Sequence, residues 1–411
     1  MASSITAANS APPPNRTQAA GGTRRYKVVY LDHCAKASGA ELALARMLPA
    51  LRDFEPLVIL AEQGALVSRL RERGIQVQVL PMARSTRELS RNSVRFGLAA
   101  VRAVWETSRY VARLVRLLEQ ERPDLVATNS LKSAVYGGLA ATVAHVPVVW
   151  HLRDRVSTDY LPAPAVRLIR TSARLLPSAV IANSRATLQS LALGRGPKRA
   201  LLQTAVPSPC DLAGAGRRAS HRGDGGALVV GMVGRLQPWK GQDVFLRAFA
   251  AAFPYGGAVA VVVGGALFGE HDFQRSLEHL AADLGLRGRV RFTGHLDDPT
   301  GEMEGFDILV HASVIPEPFG QVVIEGMALG LPVVATGVGG PAEVIRDRVD
   351  GLLYPPGDEV ALAGALRELA SDAGLRRRLG EAAARKAESY SPAAIAPQVE
   401  AVYKQALGKH A

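Results

Sequence analysis

The sequence predicts an α/β protein of two Rossmann-like domains, each a parallel sheet with helices on both faces. Two observations carry that expectation. Short β-branched runs alternate with helical segments in two successive series, and a Pro-, Gly- and Arg-rich stretch at 207–226 separates them. The chain has 411 residues and 48% hydrophobic content, enough for two cores.

Residues 1–24 are small, polar and Pro-rich without an apolar core run, which reads as a disordered tail and neither a secretory signal nor a spanning helix. From Tyr26 the first series runs Lys27–Leu31 (strand), Ser38–Leu51 (helix), Leu57–Leu60 (strand), Ala65–Arg73 (helix) and Ile75–Leu80 (strand). The strands Leu125–Thr128, Val146–Trp150 and Ala179–Ala182 follow. This is a first domain over 25–205, with a linker at 206–227. The second series has strands at Leu228–Val233, Val259–Val263, Val290–Phe292, Ile308–His311, Val333–Ala335 and Leu352–Tyr354, giving a second domain over 228–388. Residues 389–411 read as a closing helix over Ala393–Leu407, after Ser391-Pro392. No G-x-G-x-x-G follows the first strand, which argues against a nicotinamide dinucleotide there.

Composition excludes several classes. Cys34 and Cys210 are the only cysteines and have no paired spacing, so neither a disulfide framework nor a zinc site is indicated and a reducing cytoplasm fits. The longest apolar run, Ala258–Phe268, is far short of the ~20 residues of a membrane span. A formal charge of +12 admits anionic ligands, nucleic acid or anionic lipid without choosing among them. Zinc spacing, RNA-binding aromatics and a helix-turn-helix signal are absent from the sequence, so nucleic acid is the weakest reading.

The most informative stretch is 311–343. Pro316 and Pro318 keep the loop after the Ile308–His311 strand out of a helix, and a helix then begins near Phe319–Gly320 and ends at Gly330 and Pro332. Gly337, Gly339 and Gly340 open another short helix. Two helix N-termini, at Gly320 and Gly340, offer backbone N–H groups and positive dipole ends that suit a phosphate. Glu317 precedes the first of these helices, and Glu325 lies roughly 7.5 Å further along it. A nucleoside diphosphate at that terminus would put its ribose beside Glu325 and its distal group beside Glu317. The bland alternative is a surface loop with two solvated carboxylates. In Gly231–Gly241 (GMVGRLQPWKG), Gly234 permits a tight turn at a strand end, and Arg235 and Lys240 set two cations over the edge where ligands of open α/β sheets bind. Gly264-Gly265 suits a floor where backbone approaches a ligand.

Glu317-Pro-Phe-Gly followed by Glu325, two glutamates separated by seven residues, resembles the signature of retaining glycosyltransferases of family 4 (glycosyl transferases group 1). Gly339-Gly340-Pro-Ala-Glu343 is similar to its companion loop. The resemblance implies the GT-B fold, two Rossmann-like domains facing each other across a cleft, with the C-terminal helix crossing back to the first domain. It implies transfer of a sugar from a nucleoside-diphosphate-sugar, UDP favoured over GDP or ADP, to a hydroxyl of a glycan, a lipid-linked saccharide or a small molecule. No cofactor beyond the donor and no metal is implied, and the sequence contains no D-x-D.

By the same resemblance, Arg235 and Lys240 hold the diphosphate with Gly234, Phe319 and Gly320. Glu317 holds sugar hydroxyls and Glu325 the ribose. His295 and Leu296, in Val290–Leu296 (VRFTGHL), are base contacts, although His295 reads equally as an exposed loop histidine. His151, heading HLRD after a buried strand, matches the active-site histidine beside the donor sugar; a structural histidine at a strand end is the alternative. Ser38-Gly39-Ala40-Glu41 is similar to the family's Gly-Gly-x-Glu loop with Ser in place of the first Gly, and is also a capping-box pattern. With Arg153 and Asp154 it forms the candidate acceptor wall. Asn183-Ser184 reads as an N-cap first and a cleft-lining pair second.

The helix Ser93–Glu121 gathers Arg91, Arg95, Arg102, Arg109, Arg113 and Arg116 on one side, beside an apolar face of Val94, Leu98, Val101, Trp105, Ala112 and Val115. A solvated basic face is one reading; contact with anionic lipid at the inner membrane face, or with a polyprenyl-phosphate acceptor, is the other. The competing enzyme reading is a nucleotide-sugar 2-epimerase of similar fold, which the paired glutamates and the Arg235/Lys240 loop argue against.

Overall fold

The computed structural model describes residues 25–36, 38–83, 98–194, 201–211, 226–266 and 271–408. Among these are two parallel sheets. The first has seven strands in the order β3-β2-β1-β4-β5-β6-β7. They are β1 Tyr26–Asp32, β2 Phe54–Leu60, β3 Gln76–Val79, β4 Leu125–Thr128, β5 Val148–Leu152, β6 Ala179–Ala182 and β7 Leu202–Ala205. The second has six in the order β10-β9-β8-β11-β12-β13. These are β8 Leu228–Val233, β9 Ala258–Val263, β10 Val290–Gly294, β11 Ile308–His311, β12 Val333–Thr336 and β13 Leu352–Tyr354. β4, β6, β11 and β12 are buried at every residue. That is why they read as unbroken apolar runs: helices cover both faces of each sheet. In each domain the strand order reverses beside the first strand, so the loops after β1 and β8 stand at switch points, where ligands of such sheets bind.

The strand series matches the sequence expectation except at β5, expected at Val146–Trp150 but running Val148–Leu152 so that it contains His151, and at β7, which sequence reading missed. Its residues, Leu-Gln-Thr-Ala, sit half-buried at the sheet edge and carry no β-branched run. The apolar face expected for the long first-domain helix also needs correction. The helix spans Leu98–Glu121, and Tyr110, Leu114 and Leu118 pack on the sheet, while Trp105 is 58% exposed and Ala112 is exposed. The sheet selects one stripe at four-residue spacing, and Trp105 falls off it. Arg91, Val94 and Arg95 lie outside the described residues.

Four clusters form the cores, one on each face of each sheet. The helix Pro392–Gly408 closes one face of the first sheet with Ile395, Val399, Tyr403 and Ala406. Its Glu400 accepts the backbone N–H groups of Arg52 and Asp53 at 2.7 and 2.8 Å. Chain that follows the second domain thus completes the core of the first. Among the described residues no helix is long and apolar enough to cross a membrane.

Candidate active site

A cleft of about 910 Å³ runs between the carboxyl ends of the two sheets. Its second-domain wall begins at the loop after β8. Gly241 has φ +74°, and a Cβ there would lie 2.1 Å from the Ala312 carbonyl oxygen. The short turn Pro238–Lys240 therefore presses against the chain leaving β11, where the Val314 N–H donates to the Trp239 carbonyl at 2.9 Å. This packing carries Lys240 to Glu317: Nζ to Oε1 is 2.6 Å.

Glu317 takes two more donors. The His311 Nε2–H donates to Oε2 at 2.7 Å and the Ser313 hydroxyl to the same oxygen at 2.7 Å. The Thr336 hydroxyl is 3.4 Å from His311 Nδ1. Because an ionised carboxylate only accepts, the His311 proton belongs on Nε2 and the ring is held between Thr336 and Glu317. Burial alone would raise the Glu317 pKa. Lys240 and His311 outweigh it and hold the carboxyl well below the ordinary range, so it is charged at neutral pH. His311 and Ser313 were not found by sequence reasoning; their only signal was position at the end of a buried strand.

Gly320, with φ +81°, turns the loop into the helix Gln321–Ala328, whose N-terminus lines the cleft. Facing it is the helix Gly39–Met47: a Cβ built on Gly39 would lie 3.9 Å from Gln321 Cβ. Two helix N-termini therefore converge on the cleft, but not the two expected. Gly340 does not line it: its N–H is already bonded to the Glu317 carbonyl at 2.9 Å, and a Cβ would collide with Phe319 Cα at 2.2 Å. The Gly339-Gly340 turn is a buttress behind Glu317 and Phe319. Beyond it, Glu343 reaches the first domain and accepts the N–H groups of Arg185 and Ala186 at 2.9 and 2.7 Å, at the start of the helix Arg185–Ser190. Ser184 and Thr187 donate to the Pro318 carbonyl at 2.6 and 3.0 Å. Ser184 also caps its own helix, accepting from the Thr187 N–H.

Glu325 also lines the cleft and pairs across it with Arg46, Nη1 to Oε1 2.7 Å. Burial raises the Glu325 pKa and Arg46 only partly offsets it. Arg46 is a further residue sequence reasoning missed, since nothing in an arginine of a helix's last turn marks a partner 279 positions away. Gly234, Arg235, Gly264, Gly265, His295 and Leu296 line the same side of the cleft. A Cβ on Gly264 would lie 1.9 Å from the Gly234 carbonyl oxygen, so these two turns touch backbone to backbone. Phe319 lines it too, with its ring packed in the core beneath.

On the first-domain wall are Ser38, Gly39, Arg153, Asp154 and Asn183. Arg153 donates to Asn129 Oδ1 at 2.6 Å and Ser208 Oγ at 2.9 Å, and the Tyr160 hydroxyl donates to Asp154 at 3.0 Å. Glu41 lies behind this wall, 4% exposed. Burial, with Asp32 nearby, pushes its pKa up to about 8, and the Ser38 hydroxyl donates to its carboxyl. No side-chain cap closes the N-terminus at Ser38, so the capping-box expectation fails: the serine serves the buried acid instead.

His151 departs from the expectation that it stands beside the donor sugar. It is buried outside the cleft lining, with Nε2 2.6 Å from the Tyr403 hydroxyl, which donates onward to Tyr30 at 2.9 Å. Strand alternation puts 149 and 151 on the face covered by the C-terminal helix. Burial, then Arg153, holds its pKa well below the usual histidine value. Just past this strand, Arg153 and Asp154 reach the cleft.

Among the described residues no group of three or more His, Cys, Asp or Glu side chains is placed to hold a metal ion. The cleft presents cations, helix N-termini and two partly buried glutamates in an arrangement suited to a nucleotide diphosphate and its sugar.

Residues 217–386 match the family described as glycosyl transferases group 1, and residues 64–201 match glycosyltransferase family 4. Anabaena HepE, solved with UDP and glucose, is 30% identical and superposes with a TM-score of 0.79 over 93% of this chain and 100% of that one. The chain belongs to this glycosyltransferase family. Its fold is GT-B. A D-inositol 3-phosphate glycosyltransferase of Streptomyces avermitilis is 32% identical over 316 residues, 70% of this glycosyltransferase and 66% of the relative. Another with that name, from Salinispora tropica, is 39% identical over 191 residues. That match spans 44% of this chain and about two fifths (39%) of the relative's length.

Proposed function

We propose that the enzyme transfers a hexosyl group from UDP-hexose to an acceptor hydroxyl, with retention at the anomeric carbon and without a metal ion. The observation that carries this reading is the meeting of Arg235, Lys240 and the Gly320 helix N-terminus with Glu317 and Glu325 in one cleft. HepE, whose crystals hold UDP and glucose, supports UDP as the nucleotide.

In this reading the diphosphate lies on the Gly320 N-terminus, with Arg235 and Lys240 on its oxygens. Negative charge grows on the leaving oxygen as the glycosidic bond breaks, so fixed cations there stabilise the transition state more than the ground state. Glu325 leaves Arg46 to accept the ribose hydroxyls, and the His295–Leu296 loop takes the base. Glu317, held ionised and oriented by His311, Ser313 and Lys240, accepts from the sugar hydroxyls. The acceptor lies against Arg153, Asp154 and the Ser38–Gly39 turn. Its hydroxyl attacks on the face the diphosphate leaves, and the departing phosphate oxygen takes its proton. A closed cleft excludes water and suppresses hydrolysis of the donor. Free thiols at Cys34 and Cys210 fit work in a reducing compartment.

The deciding experiment is a thermal-shift series with UDP, GDP, ADP and CMP in EDTA, repeated on Glu325→Ala and Lys240→Ala. A nucleotide at 100 times its dissociation constant stabilises by ~2.7 kcal/mol. UDP is expected to raise the midpoint without metal, and both substitutions to remove the effect. No shift with any nucleoside diphosphate overturns the donor site, and transfer to an inverted anomeric product overturns the stereochemistry.

A further inference from the structure

Ten large hydrophobic side chains are exposed among the described residues, and six of them share one face of the first domain: Val104, Trp105, Leu139, Val143, Leu168 and Leu175. They stand on the helices Leu98–Glu121, Leu131–Val143 and Ala163–Leu175, of 24, 13 and 13 residues, which pack beside one another over the same core. The exposures are large: 67% and 58% for Val104 and Trp105, 60% for Val143, 56% and 68% for Leu168 and Leu175. Leu139 and Val143 are four residues apart and Leu168 and Leu175 seven, so each pair forms an outward ridge on its helix. Gly138 packs under Leu176 and so brings the Leu139/Val143 ridge beside the end of the Leu168/Leu175 ridge.

The same face is basic. Neither Leu131–Val143 nor Ala163–Leu175 contains an acidic residue. Arg109, Arg113, Arg116, Arg167 and Arg174 are exposed around the hydrophobic side chains, in excess of the exposed Glu119; Arg102 is paired with Glu106 at 2.8 Å, and the Arg109 guanidinium lies 4.6 Å from the Trp105 ring centroid. Aromatic and aliphatic side chains projecting between arginines match an anionic bilayer surface, where the apolar groups enter the headgroup region and the cations meet lipid phosphates. Two other occupants fit less well. A second copy docked on this face would set arginines against arginines. Nucleic acid would pair the cations but leave the leucines and valines in water.

We infer that these three helices form a docking surface for an anionic membrane, so that the cleft works at a bilayer. This goes beyond the donor reaction and is tested without any substrate. The purified full-length chain is mixed with vesicles of phosphatidylcholine alone, or with 30% phosphatidylglycerol, at low and high salt, and sedimented. Binding is expected only to the anionic vesicles and is weakened by salt. Arg109→Gln with Arg116→Gln should lower the partition coefficient by about 25-fold, roughly fivefold per cation. Leu168→Glu with Leu175→Glu should abolish binding while the UDP thermal shift persists, which shows the variant is folded. Should the wild type fail to show a UDP shift, vesicle binding still reads the surface independently. Brominated lipid should quench tryptophan fluorescence in the wild type and lose that quenching in Trp105→Phe, which still binds. Equal binding to neutral and anionic vesicles, no binding at low salt, or sedimentation of the wild type as a dimer that the leucine substitutions convert to monomer would each overturn the inference.

Discussion

Replacing Lys240 with methionine removes the cation beside Glu317 inside one domain, where opening of the cleft gives no relief. The two side chains are only 15% and 14% exposed and 2.6 Å apart, and Glu317 keeps His311 and Ser313 as donors. Breaking a fully buried pair costs about 3–5 kcal/mol; the two remaining donors bring the expectation here to about 2–3 kcal/mol at pH 7. The pH dependence follows from the direction of the Glu317 shift. Its folded pKa lies well below the unfolded value, so it contributes stability above the unfolded value that is lost as pH falls through the folded one. Without Lys240 burial dominates and the folded pKa rises, so the variant gains back stability on acidification and its deficit against wild type narrows toward pH 4. Glu317→Gln in the same background leaves no unpaired charge, and the double variant should recover all but ~1 kcal/mol, about 1–2 kcal/mol more stable than Lys240→Met alone. Urea unfolding of the four proteins at pH 7 and pH 4.5, followed by fluorescence, measures each corner. A cost below ~0.5 kcal/mol for Lys240→Met, or a double variant less stable than Lys240→Met alone, would refute the reasoning.

Three further outcomes follow from the same geometry. Glu41, with a folded pKa of about 8, holds its proton at neutral pH, and its contribution is fully present below the unfolded carboxyl value and lost as pH rises through 8. Wild-type melting temperature should therefore fall from pH 5 to pH 8 more steeply than that of Glu41→Gln. In Gly264→Ala the new methyl group would meet the Gly234 carbonyl at 1.9 Å in a backbone conformation with φ +145°. Both turns must move, so the UDP thermal shift is expected to vanish while far-UV circular dichroism stays unchanged. His311→Phe removes one donor to Glu317 without touching the diphosphate cations. Steady-state kinetics should show kcat at least tenfold lower and the donor KM within about threefold, because the lost bond positions the sugar end alone.

What was legible in the sequence is what is encoded within a few residues. The β8 loop, the Pro-rich loop and the Gly320 helix announce themselves because turn chemistry and strand ends are local, and the parallel sheets follow from the strand–helix alternation. Lys240 and Glu317 were both singled out, yet the bond between them, 77 positions apart, depends on Gly241 pressing one loop on the other. Arg46 and His311 were missed for the same kind of reason: each becomes recognisable only through a partner that folding brings to it. The two histidines make the point sharply. Each comes near the carboxyl end of a central strand of its own sheet, and nothing in either neighbourhood says which sheet face will be sealed. In the first domain the C-terminal helix arrives with Tyr403 and seals the face holding His151. In the second, the chain after β11 turns back and delivers Glu317 to His311. The chemistry of a strand-end histidine is therefore decided by what the distant chain lays over it. The strand's own pattern says only that it is near an edge.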